Sequence, residues 1–105
     1  MDGKTTIKYL QYYIRNKDHN TEAKMDYFLK LIEEVGELST AIYEKKKAAD
    51  YDHIKGTMDE EIWDVIYYTL AIANLYDIDV EEVIKAKEKL NQIKYPSQIK
   101  FEQNR

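Results

Sequence analysis

Met25–Ile42 reads MDYFLKLIEEVGELSTAI, and its apolar side chains recur every three or four residues. The repeating apolar set is Met25, Phe28, Leu29, Ile32, Val35, Leu38 and Ile42. Spacing of this kind predicts an amphipathic helix whose apolar face packs against other helices. We expect this helix to begin near Asn20 or Thr21, since either can act as the N-cap, and to continue to about Ala49.

Three further segments show helical spacing. The first runs from about Lys4 to Ile14. The third follows Thr57, whose spacing from Glu60 predicts a capping box, and the fourth follows Asp79, which repeats that pattern. The third helix is expected to pack through Ile62, Val65, Ile66, Thr69, Leu70, Ile72, Ala73 and Tyr76. The fourth carries Val80, Val83, Ile84, Lys87 and Leu90 at helical spacing and ends before Pro96.

The composition limits the fold further. Three Gly and one Pro in 105 residues are too few turn formers for a many-stranded fold. The sequence therefore predicts one all-α domain over residues 1–105, a four-helix bundle-like structure. Its apolar stripe is wider than one small bundle needs, which predicts completion by homo-oligomerisation, as a homodimer or a homotetramer.

Charge and cysteine content exclude several classes of protein. Apolar residues make up 44% of the chain and charged residues 34%, which argues against both disorder and a membrane protein. A net charge of −4 argues against a nucleic-acid polymer as partner. The chain has no Cys, which excludes disulfides, thiol nucleophiles and Cys-ligated metals. We expect a cytoplasmic protein.

Two pairs of carboxylates stand beside the apolar stripes. Glu34 and Glu37 are three residues apart on the second helix, and Glu61 and Asp64 repeat that spacing on the third. If the two helices pack antiparallel, four carboxylates can converge, and their repulsion requires a counter-charge. All-oxygen ligation suits Mg²⁺, with Mn²⁺ as the alternative. The competing interpretation is a solvated acidic flank on each helix.

The order of three blocks resembles a known family. EEVGE at residues 33–37 is followed, after 23 intervening residues, by EIWD at 61–64 and then by KEKLNQIKYP at 87–96. This pattern resembles the EExxE…ExxD signature of MazG-type nucleotide pyrophosphohydrolases, in the all-α NTP pyrophosphatase superfamily. The last block is similar to that of the MazG-like and dCTP pyrophosphatase branch.

The resemblance implies an enzyme in which a metal-activated water cleaves a nucleoside triphosphate, NTP or dNTP, to the monophosphate and pyrophosphate. It implies that the metal ligands are Glu34, Glu37, Glu61 and Asp64. Glu33 would be a nearby acidic partner, for a second ion or for orienting water. The implied substrate-binding residues are Tyr68, which would line the nucleotide pocket, and Lys87, Asn91, Lys94 and Tyr95, which would contact the phosphates or the sugar.

Two other interpretations stay open at this point. One is a phosphoribosyl-ATP-type pyrophosphohydrolase, although the block at 87–96 points away from it. The other is a non-catalytic helical interaction or regulatory module whose acidic residues only solvate the bundle. The preferred base and sugar cannot be assigned from the residues.

Overall fold

The structure, a computed structural model, describes residues 3–102. The two ends of the domain expected over 1–105 therefore lie outside the described residues. The chain forms four helices: α1 (Ile7–Lys17), α2 (Lys24–Tyr43), α3 (Met58–Leu75) and α4 (Val80–Lys94). Residues 3–102 contain no strand. The predicted all-α class and the number of helices are confirmed.

The ends of α2 differ from the prediction. α2 begins at Lys24 after Ala23, which makes no side-chain cap, while the Asn20 side chain accepts a hydrogen bond from the Glu22 N–H. The predicted N-cap at Asn20 or Thr21 is therefore wrong. The predicted extension to Ala49 is also wrong, because α2 ends at Tyr43.

A left-handed residue stops α2. Lys45 has φ of 57°, and its N–H donates to the Ile42 carbonyl at 3.0 Å. The next N–H, of Lys46, donates to the Ala41 carbonyl at 2.9 Å. These two bonds form a Schellman motif, which usually places Gly at the left-handed position. The sequence offers no Gly or Asn there, so the stop is not visible in it.

The predicted caps of α3 and α4 are present. The Thr57 hydroxyl accepts from the Glu60 N–H, and the Asp79 carboxylate accepts from the N–H of Glu82. The second half of the predicted capping box is wrong. The Glu60 carboxylate accepts from the Gly56 N–H at 2.8 Å, because the Thr57 N–H is already bonded to the Ile54 carbonyl.

α2 and α3 pack antiparallel. The start of α2 meets the end of α3, where Tyr27 shares a buried cluster with Leu70 and Leu75. The middle of α2 meets the start of α3, where Glu34 lies beside Glu61. α1 packs against α3, and α4 packs mainly against α1. The antiparallel arrangement brings the two acidic motifs to the same level of the bundle.

The expected apolar face of α2 is not the face that this chain buries. The buried side chains of α2 are Tyr27, Glu34 and Ala41. Six members of the predicted stripe are 48% to 65% exposed: Met25, Phe28, Leu29, Ile32, Val35 and Ile42. The packing side expected for α3 is right only in part, since Leu70 and Ala73 are buried, whereas the exposed members are Ile62, Ile66, Thr69 and Tyr76.

α1 and the start of α4 are held to the end of α3 by polar contacts. The Asn74 side chain, which is buried, donates to the Gln11 carbonyl at 2.9 Å and accepts from the Gln11 amide at 3.0 Å. The Gln11 amide oxygen accepts from the Val80 N–H at 3.0 Å.

Among residues 3–102, no helix combines the length and the hydrophobicity that a membrane-spanning segment requires.

Candidate active site

Three carboxylates from α2 and α3 converge. One oxygen each from Glu34, Glu61 and Asp64 lies within 4.8 Å of the other two. Glu34 and Glu61 are each only 6% exposed, and Asp64 is half-buried. Glu33, Glu34 and Glu37 form a second group, in which one oxygen from each side chain also lies within 4.8 Å of the other two. We call these five residues the acidic cluster. Its two groups share Glu34.

Burial makes the cluster hard to ionise in the absence of a cation. Burial raises the pKa of Glu61 to about 7, and hydrogen bonding with Glu34 and Glu37 adds to this shift. Burial also raises the pKa of Glu34, while its hydrogen bond with Glu61 lowers it. Since burial raises the pKa of both side chains, Glu34 and Glu61 resist being ionised at the same time. Burial raises the pKa of Asp64, and the charge of Glu60 raises it further.

Two buried oxygens of the cluster are unsatisfied. Glu34 Oε2 and Glu61 Oε2 have no hydrogen-bond partner among residues 3–102. A buried carboxylate oxygen without a partner is destabilising, whereas a divalent cation can satisfy several such oxygens together. The donor set is entirely carboxylate oxygen, which suits Mg²⁺ or Mn²⁺ rather than a softer metal. The residues present therefore fit a hard divalent ion.

Glu33 takes a different position from the other members. Its side chain is exposed, and Glu33 Oε1 lies 2.9 Å from Lys30 Nζ. The same Nζ is 3.8 Å from Glu34 Oε1. Lys30 is thus the cation nearest to the cluster, and sequence reasoning missed it. The sequence did contain a signal for this contact, because Lys30 precedes Glu33 by three residues and Glu34 by four.

Tyr68 lies next to the cluster, one turn beyond Asp64. It lines a cavity of about 290 Å³ together with Asp18, Tyr27 and Lys30. Burial raises the pKa of Tyr68, the charge of Lys30 lowers it, and carboxylates on both sides raise it. We call this space the tyrosine cavity. Lys30 belongs to both sites, because it lines this cavity and its Nζ pairs with Glu33 of the acidic cluster.

The predicted substrate-binding residues of α4 lie elsewhere in this chain. Lys87 and Lys94 are exposed, and the Asn91 amide donates to a Glu88 carboxylate oxygen at 2.9 Å. Asn91 and Tyr95 line a cavity of about 360 Å³ formed with residues 97–102. Within the described part of one chain, none of these four residues is brought to the acidic cluster. Their role stays a prediction.

A larger cavity, of about 450 Å³, opens beside the cluster between α2 and the start of α3. We call it the carboxylate cavity. Its ionisable lining consists of Glu33, Glu37, Glu44, Glu60 and Glu61 with Lys46 and Lys55. The two lysines lie on the connection between α2 and α3, residues 44–57. Sequence reasoning missed them, because nothing local shows that this connection folds back over the acidic motifs.

Comparison with known proteins gives a family. A family model described as the MazG nucleotide pyrophosphohydrolase domain matches residues 22–94. No curated protein sequence matches the chain. Crystal structures of iMazG from Vibrio DAT 722 are similar. The N-tagged form is 40% identical with a TM-score of 0.81, and the match covers 89% of this chain and 100% of that chain.

Two chains of the C-tagged iMazG from Vibrio DAT 722 are also similar. One is 40% identical with a TM-score of 0.80, covering 84% of this chain and 99% of that one. The other is 44% identical with a TM-score of 0.64, and the match covers 69% of this chain and 91% of that one. The sequence resemblance to MazG proteins is thus confirmed, and it favours an enzyme over a non-catalytic helical module. This chain belongs to the MazG family and is a nucleotide pyrophosphohydrolase.

Proposed function

We propose that this enzyme cleaves a nucleoside triphosphate, NTP or dNTP, between the α and β phosphates in a Mg²⁺-dependent reaction. Water adds its oxygen to phosphorus, the bridging P–O bond breaks, and the products are the monophosphate and pyrophosphate. The observation that carries this proposal is the acidic cluster, in which buried Glu34 and Glu61 approach Asp64 with two oxygens unsatisfied.

Glu34, Glu61 and Asp64 would hold the ion, with Glu37 completing the four predicted ligands. When bound there, Mg²⁺ supplies positive charge to phosphoryl oxygens and lowers the pKa of bound water. The residues themselves fix the position: two rigid helices present the carboxylates, and burial excludes the bulk water that would weaken their electrostatic interactions. Glu37→Gln or Asp64→Asn would remove a ligand charge without changing side-chain size.

Glu33 would orient water at the edge of the site. Its carboxylate is exposed, lines the carboxylate cavity and is fixed by the ion pair with Lys30 at 2.9 Å. A carboxylate so held can accept a hydrogen bond from water and direct the water's oxygen toward a phosphorus in the same cavity. Because Glu33 also groups with Glu34 and Glu37, its alternative role would be to bind a second ion.

The tyrosine cavity would receive the nucleoside end of the substrate. It adjoins the acidic cluster, and the aromatic faces of Tyr27 and Tyr68 can pack against a base or sugar. Lys30 lines this cavity and pairs with the cluster, where an α-phosphate would be placed. The same wall carries Asp18, whose carboxylate accepts hydrogen bonds from two tyrosine hydroxyls, and Asn20, whose side-chain oxygen accepts from the Glu22 N–H.

A homo-oligomer fits the exposed apolar face of α2. Single exposed apolar side chains are normal, but a continuous face of six along one helix marks an interaction surface. We propose a homodimer, with a homotetramer as the alternative, in the cytoplasm. Lys87, Asn91 and Lys94 on α4, and Tyr95 directly after it, could then contact phosphates or sugar only where a second subunit brings them to the cluster.

A nucleotide panel tests the proposal. The protein is incubated with NTPs, dNTPs and phosphoribosyl-ATP, with Mg²⁺ or with EDTA, and ³¹P NMR identifies the products. We expect monophosphate and pyrophosphate, Mg²⁺ dependence, and loss of turnover in Glu37→Gln and Asp64→Asn. Glu22→Gln, an exposed glutamate outside the cluster, is the matched control. Release of orthophosphate as the first product, or activity on phosphoribosyl-ATP alone, would contradict the proposal.

A further inference from the structure

The α2–α3 connection brings two lysines to the carboxylate cavity. Lys46 and Lys55 are the cationic side chains in its lining, against five glutamates. One of these, Glu61, is 94% buried with an unpartnered oxygen. The cavity lining therefore combines glutamates of both helices, suited to a metal, with two exposed lysines of the connection. A bound metal ion neutralises the glutamates but leaves the far end of a triphosphate without a partner.

Backbone hydrogen bonds hold Lys46 in place. Its N–H donates to the Ala41 carbonyl at 2.9 Å, at the end of α2, and its carbonyl accepts from the Met58 N–H at 2.8 Å, at the start of α3. The Lys46 side chain pairs with Glu44 at 3.0 Å in the same wall. The backbone of Lys46 is thus hydrogen-bonded to both helices that carry the acidic cluster.

A tight turn holds Lys55. The Thr57 N–H donates to the Ile54 carbonyl at 3.0 Å, and Gly56 has φ of +78°. This is the arrangement of a type II turn, with Lys55 at its second position and Gly56 at its third, where Gly is favoured. The turn is joined to α3 through the Glu60 carboxylate, which accepts from the Gly56 N–H at 2.8 Å.

We propose that Lys46 and Lys55 bind the β- and γ-phosphates of the substrate, the part that leaves as pyrophosphate. This inference rests on the proposed function and adds to it the residues that hold the leaving group. Two ammonium groups can neutralise the charge that develops on the departing pyrophosphate. Lys46 would exchange its pairing with Glu44 for a phosphate oxygen. The α4 lysines, Lys87 and Lys94, do not line this cavity.

Direct binding of inorganic pyrophosphate tests the inference. The full chain is titrated with pyrophosphate in the presence of Mg²⁺ by calorimetry, as wild type, Lys46→Met, Lys55→Met and the double variant. Losing one charge-assisted contact should weaken binding about tenfold, and losing both should weaken it about a hundredfold. Lys47→Met is the matched control: it is exposed on the same connection, does not line the cavity, and should bind as wild type does.

Several results would overturn the inference. The first is wild-type affinity in the double variant, and the second is an equal loss in Lys47→Met. The third is no pyrophosphate binding by the wild type. A wild-type enzyme that hydrolyses nucleotides while both lysine variants bind pyrophosphate normally would refute the inference and leave the proposed function standing. Lysine-dependent pyrophosphate binding without nucleotide hydrolysis would refute the proposed function, and with it the assignment of the two lysines to a leaving group.

Discussion

Glu61→Gln should stabilise the metal-free protein at pH 8 while removing its response to Mg²⁺. Burial raises the pKa of Glu61 from an ordinary 4.5 to about 7. Ionising this side chain in the folded chain therefore costs about 3 kcal/mol, since each pKa unit corresponds to about 1.4 kcal/mol. Gln is neutral at every pH, so the variant avoids this penalty.

The direction of the pH dependence follows from proton linkage. Below pH 4.5 Glu61 is protonated in both the folded and unfolded chains, so its contribution to stability is complete. Between pH 4.5 and about 7 the folded chain binds more protons than the unfolded chain, so the free energy of unfolding falls as pH rises. Above pH 7 the loss is complete. The raised pKa values of Glu34 and Asp64 act in the same direction.

The assay is urea denaturation at fixed protein concentration, at pH 5 and pH 8, with EDTA or Mg²⁺. In EDTA, the wild type should lose up to about 3 kcal/mol more than Glu61→Gln between the two pH values. With Mg²⁺ at pH 8 the wild type should regain stability and the variant should gain little. Glu22→Gln should follow the wild type. A variant no more stable than the wild type at pH 8 in EDTA would refute the reasoning.

Three other substitutions test the packing and the assembly. Asp18→Asn should lower the free energy of unfolding by about 1–2 kcal/mol in urea denaturation, because the carboxylate accepts from the hydroxyl of Tyr67 at 2.9 Å and from a second tyrosine at 2.6 Å. Asn74→Ala should cost about 2–3 kcal/mol in the same assay, since it breaks two part-buried hydrogen bonds to Gln11. Ile32→Glu should lower the molar mass measured by sedimentation, because it places a charge on the exposed face of α2.

Each substitution has a control on the same chain. Asp52→Asn and Asn16→Ala alter exposed side chains and should change stability by less than about 0.5 kcal/mol. Ile99→Glu alters an exposed apolar residue that lies off α2, so it should leave the molar mass unchanged. The packing account fails if Asp18→Asn or Asn74→Ala matches its control. The assembly proposal fails if Ile32→Glu sediments as the wild type does.

The sequence predicted the helix starts that depend only on neighbouring residues. Thr57 and Asp79 cap the helices that follow them, because an N-cap needs only a side chain and the next turn of backbone. The end of α2 could not be predicted in this way. Lys45 adopts the left-handed conformation that usually requires Gly, and the structure around it compensates for that preference.

The periodic pattern on α2 indicated an apolar face but not its partner. Ile32 and Val35 stay about half-exposed, because the chain's own core takes the neighbouring face that carries Glu34. Hydrophobic spacing does not distinguish a core helix from an interface helix. Burying a carboxylate opposes the usual preference for apolar cores, which is the kind of conflict that functional sites produce.

The acidic cluster was the most predictable part of the site. Glu61 and Asp64 share a helix face by spacing alone, and antiparallel packing with α2 brings Glu34 to them. Lys46 and Lys55 could not be found from spacing, because their place in the carboxylate cavity depends on how a 14-residue connection folds between two helices. Contacts of that kind are set by tertiary structure.

The central claim is that α2 and α3 together hold a divalent ion between their carboxylates. A crystal soaked in Mn²⁺, with diffraction recorded at the manganese absorption edge, tests it most directly. The account predicts an anomalous peak in contact with Glu34, Glu61 and Asp64. A well-ordered crystal in which these side chains point apart, or whose manganese peaks lie elsewhere on the surface, would contradict it.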